Sequence, residues 1–309
     1  MILTITVNPA IDRNVTADRL VFEDRAYILA ESESPGGRGI NASCVINSFG
    51  GPTAAIVPSG GKNGARFERL LTGCGFPVQV VRIGNEIRQN LTITDKTGLT
   101  IKLNELGPPI SPAELDRLER AVSESLPGVS WLLLCGSLPP TTPPDVYSRL
   151  VAKAKARNVK TLLDTDGEAL RQGVEAGPTV VSPNQQEAER LLNRALITRS
   201  HFIEAVERIG QMGPECVVLS LGSRGAIGAR SGLLWEAIPP RIEAVCPIGA
   251  GDALVAAFAW SIAQKDDFPE ALRWGVAAGT ASAKLPGVTF ASVTETKDVY
   301  ALVDVRQIV

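Results

Sequence analysis

The stretch Pro247-Ile-Gly-Ala-Gly-Asp-Ala-Leu-Val-Ala-Ala-Phe258 joins a glycine-rich turn to a segment so apolar that only a buried helix suits it. The β-like run Arg241-Ile-Glu-Ala-Val-Cys246 precedes it, so the unit reads as strand, turn and helix. Such units repeat in proteins built on a parallel sheet. A turn of this kind gathers backbone N–H groups and the positive end of a helix dipole at one point, which suits an anion such as phosphate. Asp252 stands at that point, where its charge would repel the anion. It is either a helix cap or a chemical group, and as the latter it would accept the proton of an attacking hydroxyl. The helix dipole is expected to depress its pKa.

On the N-terminal side of this stretch, short β-rich runs alternate with amphipathic helices. Strands are expected over 2–7, 53–58, 78–83, 131–135, 161–164 and 179–182, and helices over 40–49, 65–71, 112–126, 144–156, 168–174 and 185–193. Ser111-Pro-Ala-Glu114 is a capping box with proline at the first helical position. The alternation predicts one α/β domain over 1–309, a mostly parallel central sheet with helices on both faces, and ligands at the carboxyl ends of its strands. Two segments, 13–34 and 87–106, break the rhythm. The second contains Leu91-Thr-Ile-Thr94 and Leu99-Thr-Ile-Lys-Leu103 around Asp95-Lys-Thr-Gly98, a hairpin signature. The two segments read as one small antiparallel sheet projecting as a lid, or else as an edge hairpin on the main sheet.

With 309 residues, 44% hydrophobic and 21% charged, the chain can bury a large core. A net charge of −2 gives no basic face for nucleic acid or an anionic membrane. No apolar run approaches the roughly 18 residues of a spanning helix. Met1-Ile-Leu-Thr-Ile-Thr-Val7 alternates like a strand and lacks the basic flank of a signal peptide. The five cysteines (Cys44, Cys74, Cys135, Cys216 and Cys246) form no Cys-x-x-Cys pair and are expected to be reduced, in a cytoplasmic protein. With His201 the sole histidine, proton transfer falls to carboxylates.

Seven motifs occur in order: Asn8-Pro-Ala-Ile-Asp12, Pro35-Gly-Gly-Arg-Gly-Ile-Asn41, Arg88-Gln-Asn90, Gly136-Ser-Leu-Pro139, Asn184-Gln-Gln-Glu187, Ser220-Leu-Gly-Ser-Arg-Gly225 and Gly249-Ala-Gly-Asp252. Over essentially the whole chain this series resembles the PfkB/ribokinase family of sugar kinases. It is most similar to the branch acting on phosphorylated ketohexoses, with 6-phosphofructokinase, tagatose-6-phosphate kinase and 1-phosphofructokinase activities. The resemblance implies a ribokinase-like α/β/α fold and transfer of a phosphoryl group from ATP, with Mg2+. It also implies a lid that pairs between subunits, giving a homodimer.

The residues have readings of their own beside that resemblance. Asp12 can accept hydrogen bonds from two hydroxyls or cap a turn. Gly37 lets the backbone approach a ligand while Asn41 reads hydroxyls. By resemblance Arg88 with Asn90 and Ser137 face the sugar phosphate, whose charge suits guanidinium and hydroxyl donors, and Arg38 and Arg25 either join them or are solvated surface arginines. On the nucleotide side it implies Asn184, Ser220, Gly222, Gly225 and Gly287. Glu187 could hold magnesium through its waters, or complete a helix cap with Asn184. Gly249, Ala250 and Gly251 would supply N–H donors to the transferred group, with Asp252 as base.

Four positions depart from the pattern, all on the side assigned to ATP: Ser182 where lysine is usual, Pro247 for threonine, Ala253 for serine and Leu285 for asparagine. They keep open a second class of reading, a sugar-phosphate sensor that has lost ATP handling. A dinucleotide-dependent oxidoreductase is disfavoured, because the first strand runs into Asn-Pro-Ala-Ile-Asp rather than a Gly-x-Gly-x-x-Gly turn.

Overall fold

Short, wholly apolar runs make the centre of the molecule, because a strand covered on both faces must be hydrophobic along its length. The computed structural model describes residues 1–21 and 23–308. Phe22, within the expected 13–34 segment, and Val309, the last residue of the expected 1–309 domain, lie outside the described residues. At the centre β1 (Ile2–Thr6) pairs in parallel with β4 (Thr53–Ser59) on one side and β8 (Trp131–Cys135) on the other. Parallel pairing continues outward to β5 (Val78–Arg82) past β4, and to β9 (Lys160–Asp164), β10 (Val180–Val181) and β11 (Cys216–Ser220) past β8. Three antiparallel strands then close that edge: β12 (Ala226–Arg230), β13 (Leu233–Ile238) and β14 (Asp304–Gln307).

Alternate residues of each central strand enter different cores. Leu3, Ile5, Leu132 and Leu134 pack with α3 (Pro112–Ser125), α4 (Val146–Lys155), α5 (Gly167–Glu175) and α7 (Arg199–Gln211). Ile2, Trp131 and Leu133 face the other layer, formed by α1 (Arg38–Ser48), α8 (Ala250–Lys265), α9 (Phe268–Ala283) and α10 (Val293–Tyr300). The expected three-layer architecture, helices on both faces of a mostly parallel sheet, is the one found. Helix α2 (Gly61–Leu71) packs through Phe67 and Leu71 in a smaller third cluster, and α6 (Gln185–Leu192) follows β10.

Helix α8 is apolar on every side and is accordingly buried from Ala253 to Ala259. It approaches α9 closely because Gly275 and Gly279 lack side chains. A Cβ there would sit 2.9 Å from the Leu254 carbonyl and 2.8 Å from that of Ala250, which accounts for the spacing Gly275-Val-Ala-Ala-Gly279.

Beside the main sheet lies a second one, in the order β3 (Ile28–Gly36), β2 (Ala10–Ala17), β6 (Arg88–Asp95) and β7 (Thr100–Asn104). The Asp95–Gly98 turn is held by Asp95, whose Oδ1 accepts from the amides of Thr97 and Leu99. The small sheet is mixed rather than antiparallel: β2 and β6 run parallel with Asp12 opposite Asn90. It also begins earlier than expected, so Asp12 belongs to it.

The run over 241–246 is not a strand. Pro239-Pro240 and Pro247 bracket it and cannot donate to a ladder. Instead the amides of Val245 and Cys246 both donate to the carbonyl of Ala283, at 2.9 and 3.1 Å. Helix α8 therefore starts from a loop, but the glycine turn is formed as read.

Candidate active site

Strand β1 delivers the first pieces of the site. Thr6 at its carboxyl end accepts the Ile40 amide at 3.1 Å, satisfying a donor that the first turn of α1 cannot use internally. This hydrogen bond fixes α1 with Arg38 and Asn41 directed at the strand ends. After β8, the buried Tyr147 hydroxyl donates between the carbonyls of Cys135 and Gly136, at 3.1 and 2.9 Å, holding the turn that carries Ser137. Gly249 caps α8 with φ 82°, a conformation that favours glycine, and this brings Asp252 into the first turn of the helix.

Two cavities meet at Asp252. One, of about 330 Å³, is lined by Asp12, Gly37, Asn41, Arg88, Asn90 and Ser137, among others. Asn90 donates to Asp12 at 2.8 Å, and Arg88 donates to the carbonyls of Glu105 and Asn8 at 2.8 and 3.0 Å. Burial raises the Asp12 pKa, against the opposing pull of Asn90, Arg88 and Lys102. Gly36 is required beside it, since a Cβ at that position would lie 2.3 Å from the Asp12 carboxylate. Asn8 Oδ1, Arg88 Nε and Asn90 Oδ1 are buried without protein partners. Such atoms call for ligand or water, and here they border a cavity sized for a sugar.

The second cavity, of about 390 Å³, is lined by Ser182, Asn184, Glu187, Ser220, Pro247, Gly249 and Gly251 with Asp252. Asn184 and Glu187 form a capping box at the start of α6: Asn184 Oδ1 accepts the Glu187 amide at 3.0 Å, and Glu187 Oε2 accepts the Asn184 amide at 2.8 Å. The other Glu187 oxygen accepts from Arg38 at 3.1 Å. Arg38 also donates to Asp164 at 2.9 Å and to Asp166 at 3.5 Å. Burial raises the pKa of both Asp164 and Glu187, and the Arg38 charge counters it. Arg38 is itself held protonated, chiefly by Asp164.

Asp252 departs from expectation. Its pKa is raised to about 7, first by burial and next by the charge of Asp164, while Arg38 and a 2.7 Å hydrogen bond from Asn41 pull it down. The residue keeps a partly open face toward the cavities, yet enough protein surrounds the carboxyl for desolvation to outweigh the local helix dipole. A carboxylate so poised is a better proton acceptor near neutrality than the depressed one the sequence suggested.

Other expectations need adjusting. Arg25 lies in the β2–β3 connection, exposed, and lines neither cavity; its amide donates to Asp24. Gly222, Gly225 and Gly287 do not line the cavities either. At Gly225 (φ 88°) a Cβ would fall 2.0 Å from the Ala237 carbonyl, so this glycine closes the β11–β12 turn against β13. The lining residues that no motif singles out include Asp164, Asp166, Lys102 and Asn104. Asp164 ends strand β9 and Asp166 is the N-cap of α5 just beyond it, where an α/β sheet places its ligands. Lys102 and Asn104 lie opposite Thr92 and Asn90 in the β6–β7 register, so the alternation that exposes Asn90 to the cavity exposes them too.

The carboxylate oxygens of Asp164 and Glu187 suit a hard cation. Among the described residues no group of three or more His, Cys, Asp or Glu could hold a metal directly. The residues therefore fit an ion held through water and a phosphate ligand.

A buried carboxylate where two polar cavities meet, beside a glycine turn at a helix N-terminus, suits a site that handles an anionic group between two small molecules. The sequence model of the family described as "pfkB family carbohydrate kinase" matches residues 5–295. The chain is 32% identical over 303 residues to ATP-dependent 6-phosphofructokinase isozyme 2 of Escherichia coli, covering 97% of this chain and 98% of that protein. It is 30% identical over 285 residues to 1-phosphofructokinase of Borreliella burgdorferi, covering 92% of each. The crystal structure of E. coli phosphofructokinase-2 in complex with substrates and products superposes with TM-score 0.91 at 32% identity, over 97% of this chain and 98% of that one. The chain belongs to the pfkB family of carbohydrate kinases, and is a phosphotransferase acting on a sugar phosphate.

Proposed function

We propose that the protein transfers the γ-phosphoryl group of ATP to a hydroxyl of a ketohexose phosphate, fructose 6-phosphate or tagatose 6-phosphate, giving the 1,6-bisphosphate. The observation that carries this reading is Asp252, poised near neutrality where the sugar-sized and nucleotide-side cavities meet. In the step, the sugar hydroxyl oxygen attacks the γ-phosphorus. The bond from that phosphorus to the β,γ-bridging oxygen breaks, ADP leaves with the electron pair, and the hydroxyl proton passes to Asp252. Asp12, Asn41 and Asn90 orient the hydroxyls, and Arg88 with Ser137 takes the substrate phosphate. The amides of Gly249, Ala250 and Gly251 face the transferred group. Asn184 and Ser220 line the nucleotide side. Asp164 and Glu187 would hold the waters of Mg2+, which when bound neutralises charge on the phosphate oxygens.

The likeness to a protein named 1-phosphofructokinase favours fructose 1-phosphate as the second substrate candidate. ADP release measured across a panel of ketohexose phosphates with Mg2+ tests the reading. Fructose 6-phosphate or tagatose 6-phosphate is expected to give the highest kcat/KM. Arg88→Met should lower it about 10–100-fold, mainly through KM, since a charge-assisted contact contributes roughly 1.5–3 kcal/mol. Equal turnover of unphosphorylated fructose would overturn the assignment of the phosphate subsite. A sugar-phosphate sensor would instead bind its ligand calorimetrically with no affinity for Mg-ATP, the outcome to which Ser182, Pro247 and Leu285 point.

The small sheet, expected over 13–34 and 87–106 of a single 1–309 domain, is proposed as a lid. Its outer strands expose Ile28 (59%), Leu29 (50%) and Leu103 (56%), with Tyr27 and Ile101 beside them. Apolar surface of this kind supports pairing with a second copy as a homodimer. Replacing Leu29 and Leu103 by lysine should shift the protein to monomer in analytical ultracentrifugation, whereas an unchanged sedimentation profile would exclude this face. All five cysteines are free, which suits the cytoplasm. Among the described residues no helix is long and apolar enough to cross a membrane.

A further inference from the structure

Five residues line both cavities: Arg38, Lys102, Ile248, Gly249 and Asp252. If the proposed transfer takes place, the phosphoryl group must cross among these five, so the charge available there bears directly on the barrier. Two of them are cations, and Arg38 is already engaged by Asp164, Asp166 and Glu187. Lys102 forms no hydrogen bond or ion pair with the described residues. The carboxylates that act on it are Asp12, from the sugar-side cavity, and Asp252, the base itself. The residue is exposed, but desolvation around the ammonium lowers its pKa.

Strand register fixes this placement. Lys102 lies opposite Thr92 in the β6–β7 pair, and both residues line the sugar-side cavity, while the neighbouring Ile101 and Leu103 are exposed. Arg88, which we assign to the substrate phosphate, has different charged neighbours apart from Asp12: Asp166, Glu105 and Arg38. The two cations therefore serve different places. Resting on the phosphoryl-transfer reading above, we propose that Lys102 is a further catalytic residue, a lid-borne ammonium that contacts the γ-phosphoryl group in flight and offsets the charge spread over its oxygens. Bond changes are those given above, and Lys102 neither gains nor loses a proton. Such a group acts mainly in the transition state, so its removal should lower kcat rather than raise KM.

The test compares wild type, Lys102→Met and Lys102→Arg in the full-length protein, with kcat and both KM values measured for ATP and the best ketohexose phosphate. Lys102→Met is expected to lose roughly 10²–10³ in kcat, with KM for the sugar phosphate changing less than about threefold. Lys102→Arg, which keeps the charge, should regain at least about tenfold of that loss. Wild-type kcat in Lys102→Met overturns the proposal. So does a rise confined to the sugar-phosphate KM, which would make Lys102 a second phosphate anchor. If the wild type forms no ADP with any ketohexose phosphate, the phosphoryl-transfer reading fails and this proposal with it; an active wild type matched by Lys102→Met refutes the role of Lys102 alone.

Discussion

Asp252→Asn is expected to lower kcat by roughly 10²–10⁴, the usual contribution of a general base. The substitution nearly preserves shape, and the sugar-side cavity keeps Asp12, Asn90, Arg88 and Ser137, so sugar-phosphate binding by calorimetry should remain within about threefold. In the wild type, kcat/KM should fall about tenfold per pH unit below a pKa of about 7, and this limb should vanish from the residual activity of Asp252→Asn. The same substitution should stabilise the fold at pH 8. A carboxyl whose folded pKa lies above its unfolded value, here about 7 against 3.8, binds a proton in the folded state that the unfolded state lacks between those values. Stability therefore declines as pH rises through that window, by up to about 4 kcal/mol at roughly 1.4 kcal/mol per unit. Asparagine carries no charge to bury, so Tm at pH 8 should rise while activity falls. A residual kcat within about tenfold of wild type would remove Asp252 from the role of base.

Arg38→Met should cost about 3–5 kcal/mol at pH 8, as expected when one partner of a buried ion pair is removed. The guanidinium holds Asp164 and Glu187, whose side chains are only 9% and 5% exposed. Without it two carboxylates stay buried with no counter-charge, and burial would push their folded pKa values higher than it already does. Folded pKa values raised above the unfolded ones mean that the penalty is present at high pH and shrinks as pH falls and the carboxyls protonate. Chemical denaturation at pH 8 and pH 5.5 should thus show a smaller gap between mutant and wild type at the lower pH. Arg38→Lys, which keeps the charge but not the fork, should fall between the two. A loss below about 1 kcal/mol at pH 8 would mean that Arg38 is held loosely and is free to serve the substrate phosphate, as the sequence motif suggests.

Much of this architecture can be read locally, where one signal fixes one structure. Ser111 and Glu114 make the reciprocal cap their spacing announces, with Glu114 accepting the Ser111 amide at 2.7 Å. The Asp95–Gly98 hairpin and the glycine cap of α8 are equally local. The 241–246 run misleads because its β-like side chains say nothing of the prolines' missing donors on either side. Site residues divide in the same way. Asp252 and Asn41 can be located from their motifs, but the hydrogen bond between them spans 211 residues of chain. Lys102 looks like an ordinary strand lysine until its register with Thr92 is known. The pKa of Asp252 was misjudged for the same reason. The helix dipole is visible in the sequence, whereas the enclosing protein and the charge of Asp164 come from distant parts of the fold.

The most direct measurement is a crystal structure of the protein with fructose 6-phosphate, Mg2+ and a non-hydrolysable ATP analogue. The account predicts the sugar phosphate on Arg88 and Ser137, the C1 hydroxyl within about 2.6–3.2 Å of Asp252, and the analogue's terminal phosphate at the Gly249–Gly251 amides. A sugar phosphate bound with no hydroxyl reaching Asp252, or a terminal phosphate away from that turn, would contradict it.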